Sequence, residues 1–311
     1  MRMYDLIEKK KQGRSLTGQE LQYPGERTAA VVIDNAASST TQWGIGSASV
    51  VLEALTESGS STELCLVYPA LSAMPVVGPV TRGQDLYWRL LSGQQVLPIQ
   101  RGCDLYTRNF LDYWNLRAVD ALETGRNAFT TGNTDWASPL WCTNGQSVAK
   151  VLGSLSLSSA LSEDPAESAD STQEGDTPAV PTVPALLPQQ TDGHLPDADV
   201  ADAVQAAVQF PSSSTTRFAY DTDTGTYGML HNDGSPQLDA NTGIQAAFDN
   251  LLVLYSASTP RDDGRTLDYD LTMGGGLWLN GGHLWHITWT QGTGSTFAFY
   301  DADGRPLRIL S

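Results

Sequence analysis

No aromatic residue occurs between Trp141 and Phe210, and no Lys or Arg between Val151 and Thr216. The same interval holds ten acidic residues, Glu163, Asp164, Glu167, Asp170, Glu174, Asp176, Asp192, Asp197, Asp199 and Asp202, which carry −10 of the formal net charge of −17. Ser, Ala and Pro fill most of the rest, as in Pro178-Ala179-Val180-Pro181-Thr182-Val183-Pro184. Such a stretch buries too little apolar surface to offset the entropy of ordering. The chain therefore reads as a tail over 1–14, a folded part over 15–157, an acidic Ser/Pro-rich linker or insertion over 158–201, and a second folded part over 202–311. The stretch itself is read as a solvated spacer, with an acidic tract for cations or basic partners as the alternative. A pI near 4.4 argues against nucleic acid, which calls for a basic face. The folded parts share the remaining −7 of the −17, so charge leaves a ligand cleft open in either. No apolar run approaches the length of a membrane-spanning helix.

The two folded parts have different periodicities, and together they predict an α+β protein. In the first, apolar runs suited to buried strands alternate with helical patterns. Thr28–Asp34, Thr62–Tyr68 and Val96–Ile99 read as strands, the last at an edge or an end because of Pro98. Ile45–Leu55 reads as a helix with Ala48, Val51, Leu52 and Leu55 on one face, and Gly83–Leu91, Cys103–Trp114 and Gly145–Leu155 read as further helices. The alternation implies an α/β layered domain with a partly parallel sheet. In the second part, Asn232-Asp233-Gly234, Asp262-Asp263-Gly264, Asn280-Gly281 and Asp301-Ala302-Asp303-Gly304 are hairpin turns between short alternating runs. That pattern implies a mostly antiparallel β domain, with Trp285, Ile287 and Trp289 facing the core and one short helix over Ile244–Phe248.

Several phrases, in order, carry a resemblance. Val31-Val32-Ile33-Asp34-Asn35 is followed by Gln42-Trp43-Gly44-Ile45-Gly46-Ser47-Ala48-Ser49, then Ser58-Gly59-Ser60-Ser61-Thr62 and Val77-Gly78-Pro79-Val80. The second part has Tyr220-Asp221-Thr222-Asp223-Thr224-Gly225-Thr226-Tyr227, Leu238-Asp239-Ala240-Asn241-Thr242-Gly243 and Phe299-Tyr300-Asp301-Ala302-Asp303-Gly304. The set resembles the YerB-like lipoproteins, a bacterial family with paired N- and C-terminal domains of unknown function. The resemblance covers about Ser15–Leu155 and Ala203–Ser311. It implies an extracytoplasmic, cell-envelope protein tethered through a lipidated N-terminus in its precursor. Met1–Arg14, with Lys9-Lys10-Lys11, has no apolar signal region and no early Cys, so the chain is read as a mature form. Arg and His patterns usual in the family are replaced here by Glu63 after Thr62, by Thr81-Arg82-Gly83-Gln84 after Gly78-Pro79-Val80, and by Gln100-Arg101-Gly102-Cys103 and Ser138-Pro139-Leu140-Trp141. A family polyanion or substrate site would be largely lost.

The candidate ligand-binding residues are Asp34, Asn35, Glu53, Thr62, Gly78, Pro79, Arg82 and Arg101. Asp34 and Asn35 end a buried strand, where ligands of open α/β sheets gather. Glu53 could add a second carboxylate for acid–base work, or the three could simply shape a loop. Gly44-Ile45-Gly46-Ser47-Ala48-Ser49 imitates a dinucleotide fingerprint, but Ser49 replaces the third Gly and the loop from Ile33 is too long. The Asp-rich turns lack the ligand spacing of calcium loops, and His283 and His286 fall on opposite faces of a strand. Cys65, Cys103 and Cys142 form no Cys-x-x-Cys motif; Cys65 reads as a core residue, and Cys103 and Cys142 could pair. Trp88, Tyr106, Tyr113, Trp114, Trp136 and Trp141 either line a glycan or peptide cleft or are core and helix-surface residues. The favoured reading is non-catalytic ligand binding or scaffolding, without cofactor or metal. Its partner would be a cell-wall glycan, a peptide or an envelope protein. The rivals are a hydrolase or transferase on an envelope polymer with Asp34 and Glu53 as acids, and a C-terminal sheet that only rigidifies the first domain.

Overall fold

The computed structural model describes residues 25–36, 41–57, 59–132, 140–161, 185–190, 200–211, 214–291 and 296–310. The terminal tail, Trp136, His194 and most of the acidic stretch lie outside them. Ala29–Asp34 (β1), Val50–Leu55 (β2), Thr62–Tyr68 (β3), Leu97–Gln100 (β4) and Val119–Asp120 (β5) form a mixed sheet in the order β2-β3-β1-β4-β5. β1 runs antiparallel to β3 and parallel to β4, and β4 parallel to β5. The partly parallel first domain expected from the sequence is thus present.

Two expectations fail in this sheet. Ile45–Leu55 is not a helix: Ile45–Ser47 is one 3-10 turn and Val50–Leu55 is strand β2. Val51 packs into one apolar cluster while Val50, Leu52 and Ala54 pack into another on the opposite face. A strand apolar on both faces mimics a helical stripe. Of the edge or end position expected for the Pro98 strand, the edge fails, since β4 lies between β1 and β5, while Pro98 stands near the start of β4. Its pairing with β5 involves only Ile99 and Gln100, so Pro98 has no ladder partner to fail on that side.

Helices Asp85–Leu90, Leu105–Tyr113 and Gly145–Leu152 stand where helical patterns were read. The last starts on a close approach. Asn144 accepts the Ser147 N–H at 2.9 Å, and a Cβ on Gly145 would meet the Leu71 carbonyl oxygen at 2.0 Å. Because backbone must move to make room, Gly145→Ala is expected to cost about 2 kcal/mol or more, seen as a lowered urea midpoint.

The second half is built from antiparallel sheets. One orders Gln205–Gln209, Thr215–Asp221, Thr226–Leu230 and Ala247–Phe248; the other centres on Asn250–Leu254, Met273–Asn280, His283–Gln291 and Phe297–Tyr300. Ile244–Phe248 is not a helix; Ala247 and Phe248 pair with Gly228 and Tyr227 as a strand. Trp285, Ile287 and Trp289 are buried together, as period two requires. Inside the acidic stretch, Gln189–Gln190 pairs in parallel with Ile309–Leu310 and Leu186 is buried.

The second half covers both faces of the first sheet. On one face, Val31, Ile33, Leu64 and Leu66 meet Val148 and Leu152, together with Met229 and Ala246. On the other, Ala30, Val32, Cys65 and Val67 meet Tyr87 and Trp88, together with Trp278, Trp285, Trp289 and Phe299. Each cluster joins residues from both ends of the chain, so neither half finishes its core alone.

Candidate functional site

The sheet's pleat sorts the candidate residues. Asp34 stands opposite Glu63, and Glu53 opposite Leu64. Glu63 and Leu64 are neighbours in one strand and point to opposite faces. Asp34 therefore shares a face with Glu63, and Glu53 lies on the other. Glu53 is also carried on a strand rather than on the expected helix.

Asn35 extends the Glu53 face beyond β1. Its Nδ2 donates to Glu53 Oε1 at 3.0 Å and to Thr62 Oγ1 at 2.9 Å. Its Oδ1 accepts from Gln42 Nε2 at 3.0 Å and from Gln237 Nε2 at 3.3 Å. Gln42 Nε2 also donates to the Asp34 carbonyl at 2.8 Å, and Gln237 donates to Gln42 Oε1. Thr216 Oγ1 donates to Glu53 Oε1 at 2.6 Å. Thr62, Gln42 and Gln237 are each 2% exposed, whereas Asn35 and Glu53 are partly buried, so the network reaches the surface at those two residues. Burial pushes the Glu53 carboxyl above its ordinary range, and the bonds from Thr216, Thr62 and Asn35 pull it part of the way back. Thr216 and Gln237 belong to the second half, so the network also ties the halves together.

Beside it lies the glycine loop that resembled a nucleotide fingerprint. Gly44 N–H donates to Asp239 Oδ1 at 3.1 Å and Gly46 N–H to Oδ2 at 2.9 Å. Asn241 N–H donates to Oδ1 at 2.8 Å, and Ala240 N–H bonds the Gln42 carbonyl at 2.8 Å. Gly44 has φ of 92°, a conformation that favours glycine. An internal carboxylate, itself fully buried, takes the place an anionic ligand would occupy.

On the other face, Glu63 is 3% exposed. Its carboxylate accepts from Gln84 Nε2, which also donates to the Leu55 carbonyl at 2.9 Å, and its carbonyl accepts from Tyr87 Oη at 3.0 Å. Burial pushes the Glu63 carboxyl up to about 8 against the Gln84 bond, with Glu57 and Asp34 adding to the rise and Arg82 opposing it. Arg82 itself is half exposed and pairs with Glu57 at 3.4 Å. Nearby, a narrow cleft with room for about one water molecule is lined by Thr56, Glu57, Asp85, Asp104, Arg261 and Tyr269. Arg261 bonds Asp85 at 2.7 Å and lies 4.6 Å from the centre of the Tyr106 ring. Glu57 Oε1 and Arg261 Nε are buried atoms with no hydrogen-bond partner among the described residues.

The remaining candidates act through main chain or stand apart. The Asp34 N–H bonds the Pro79 carbonyl at 2.9 Å, and Gly78 pairs with Trp43 across a cis Gly78–Pro79 bond. This segment, with Thr81 accepting from Arg101 N–H at 2.8 Å, fills the space at the carboxyl ends of β1 and β4. The Arg101 guanidinium lies 5.5 Å from the centre of the Trp141 ring. Trp88 is in the core, whereas Tyr113 and Trp114 form an exposed pair on another helix, so the aromatic set does not share one cleft. Cys65, Cys103 and Cys142 are free thiols. Among the described residues, no group of three or more His, Cys, Asp and Glu is placed to hold a metal, and no helix is long and apolar enough to cross a membrane.

Sequence reasoning missed Gln42, Glu63, Thr216, Gln237, Asp239, Glu57 and Arg261. A signal existed for Glu63, a lone acid inside a run suited to a doubly buried strand. The others come together only through the long-range fold.

Residues 16–157 match the N-terminal domain, and residues 206–311 the C-terminal domain, of a family described as protein of unknown function (DUF3048). A search of curated proteins found no match. The crystal structure of YerB protein from Bacillus subtilis superposes with a TM-score of 0.75 at 19% identity, covering 96% of this chain and 91% of that one. At that identity the likeness shows the fold.

Proposed function

The chain belongs to the DUF3048 family, whose two domains it carries in order, and from that premise we propose that it is a non-catalytic ligand-binding or scaffolding protein of the cell envelope, outside the cytoplasm. The extracytoplasmic and lipid-anchored part of this reading rests on what the YerB-like resemblance implies. The observation that supports the non-catalytic part is the separation of Asp34 and Glu53 onto opposite faces of one sheet. Two carboxylates placed so cannot share a proton-transfer task on one substrate. Their neighbours are spent on tying the halves together.

For a ligand, the cleft at the seam is the better place. It draws Glu57, Asp85 and Asp104 from the first half and Arg261 and Tyr269 from the second. Its buried Glu57 Oε1 can accept and its Arg261 Nε can donate. A hydroxyl group can both donate and accept, and the cleft has room for one such group of a glycan rather than for a whole sugar ring.

Titration with soluble cell-wall glycan fragments, followed by Trp fluorescence, tests this. A saturable change that Arg261→Ala weakens at least tenfold is expected. Fragments shortened by the protein in the same mixture would support the hydrolase reading instead, and no change with any fragment would remove the glycan.

A further inference from the structure

The Asn35 side chain is held as a reacting amide would be held. Two contacts fix its orientation. Glu53 is a carboxylate or carboxylic acid facing one end, and Gln42 Nε2 must be a nitrogen because it also bonds the Asp34 carbonyl. The amide nitrogen therefore faces Glu53 and Thr62, and the amide oxygen faces two N–H donors, from Gln42 and Gln237. A carbonyl oxygen between two fixed donors is the arrangement that stabilises a tetrahedral oxyanion. The Thr62 hydroxyl is 2.9 Å from Nδ2 and also hydrogen-bonds Glu53. Since Cγ is one C–N bond from Nδ2, Oγ1 lies at most about 4.2 Å from the carbonyl carbon, and attack requires it to swing from the N–H edge to the face of the amide.

We propose that Thr62 and Asn35 join as an intramolecular ester, in one self-catalysed turnover that releases ammonia. Glu53 takes the hydroxyl proton of Thr62. Oγ1 attacks Cγ of Asn35, the C–O bond forms, and negative charge collects on Oδ1 against the Gln42 and Gln237 N–H groups. The intermediate collapses by breaking Cγ–Nδ2 while Glu53 returns the proton to nitrogen. Hydroxyl and amide thus become ester and ammonia, Glu53 ends as it began, and no oxidant or co-reactant is needed. Dilution of the ammonia draws the reaction forward. A Glu carboxyl pushed upward by burial is suited to both halves of this proton transfer. The bond would clamp the residue after β1 to the first residue of β3, at the sheet end where Thr216 and Gln237 of the second half arrive. It would reinforce a scaffold but stands independently of the binding reading, because it needs no partner.

Intact-mass spectrometry of the purified, folded chain tests the proposal. A mass about 17 Da below that of the sequence is expected, the loss being ammonia. Proteolysis should yield one species joining the fragment with Asn35 to the fragment with Thr62, and hydroxylamine should separate them. Thr62→Val should restore the full mass and Thr62→Ser should keep the loss. Glu53→Gln, with its fold checked by circular dichroism, should remain at full mass. Wild-type protein that stays at full mass after prolonged incubation in the folded state would overturn the proposal. So would conversion of Asn35 to Asp, because water and not Thr62 would then be the nucleophile. A loss of ammonia mapped to Asn144-Gly145 or Asn280-Gly281 would overturn it as well, since that is backbone succinimide chemistry.

Discussion

Asp239→Ala is expected to cost about 3 to 4 kcal/mol, among the largest losses a single substitution produces here. The carboxylate is fully buried and accepts from Gly44, Gly46 and Asn241 N–H groups. Removing it leaves the Gly44 donor buried without a partner, which costs more than that bond itself contributed, and frees the exposed Gly46 donor to water. The same residue anchors the backbone pairing of Ala240 to Gln42, so the glycine loop and the Gln42–Gln237 contact should loosen together. Urea midpoints of wild type, Asp239→Ala and Asp239→Asn are the measurement. Asn keeps one acceptor oxygen and should lose roughly half as much. A loss below about 1 kcal/mol for the Ala variant would show that the carboxylate is not the latch between the halves.

The second large effect is a fall in stability with rising pH, and Glu63 is its main source. Its carboxyl is raised from 4.5 to about 8 in the folded chain by burial, so the native state holds a proton that the unfolded state has released. The contribution is fully present below the unfolded value near 4.5 and is lost as pH rises through about 8. The total is on the order of 4 to 5 kcal/mol. Asp34 and Glu57 add to the rise and Arg82 opposes it, and Glu53 on the other face is shifted in the same direction by burial. Glu63→Gln keeps a hydrogen-bonding amide beside Gln84 and removes the titration. Its denaturant midpoint should change much less between about pH 5 and pH 9, and it should be the more stable form at the upper end. A variant with the same pH slope as wild type would place the titrating group elsewhere.

The alternation of strands and helices in the first part and the turn-punctuated strands of the second were legible because they are local. Asn and Asp before Gly mark tight turns wherever they stand. Asp301 is such a turn: its Oδ1 accepts from the Asp303 and Arg305 N–H groups and is spent inside the hairpin. Val50–Leu55 was misread because periodicity reports how many faces are buried, and this strand is covered on both. Asp34 and Asn35 were read at the end of a strand, but Glu53 was placed on a helix, and which face each takes depends on register, which is invisible in a single sequence. The partners that define the site, Thr216, Gln237 and Asp239, lie more than 160 positions from the groups they hold. No spacing rule reaches that far. The glycine loop shows the same limit: its composition advertised an anion, and the anion is a side chain of the chain itself.

Both apolar clusters and the polar network around Asn35 join the two halves, so the described chain should unfold as one unit despite its two family domains and the acidic stretch between them. Scanning calorimetry of the full chain measures this directly. One transition is expected, with calorimetric and van't Hoff enthalpies equal. Two resolved transitions, or a calorimetric enthalpy about twice the van't Hoff value, would mean that the halves fold independently and that the shared cores do not bind them into a single scaffold.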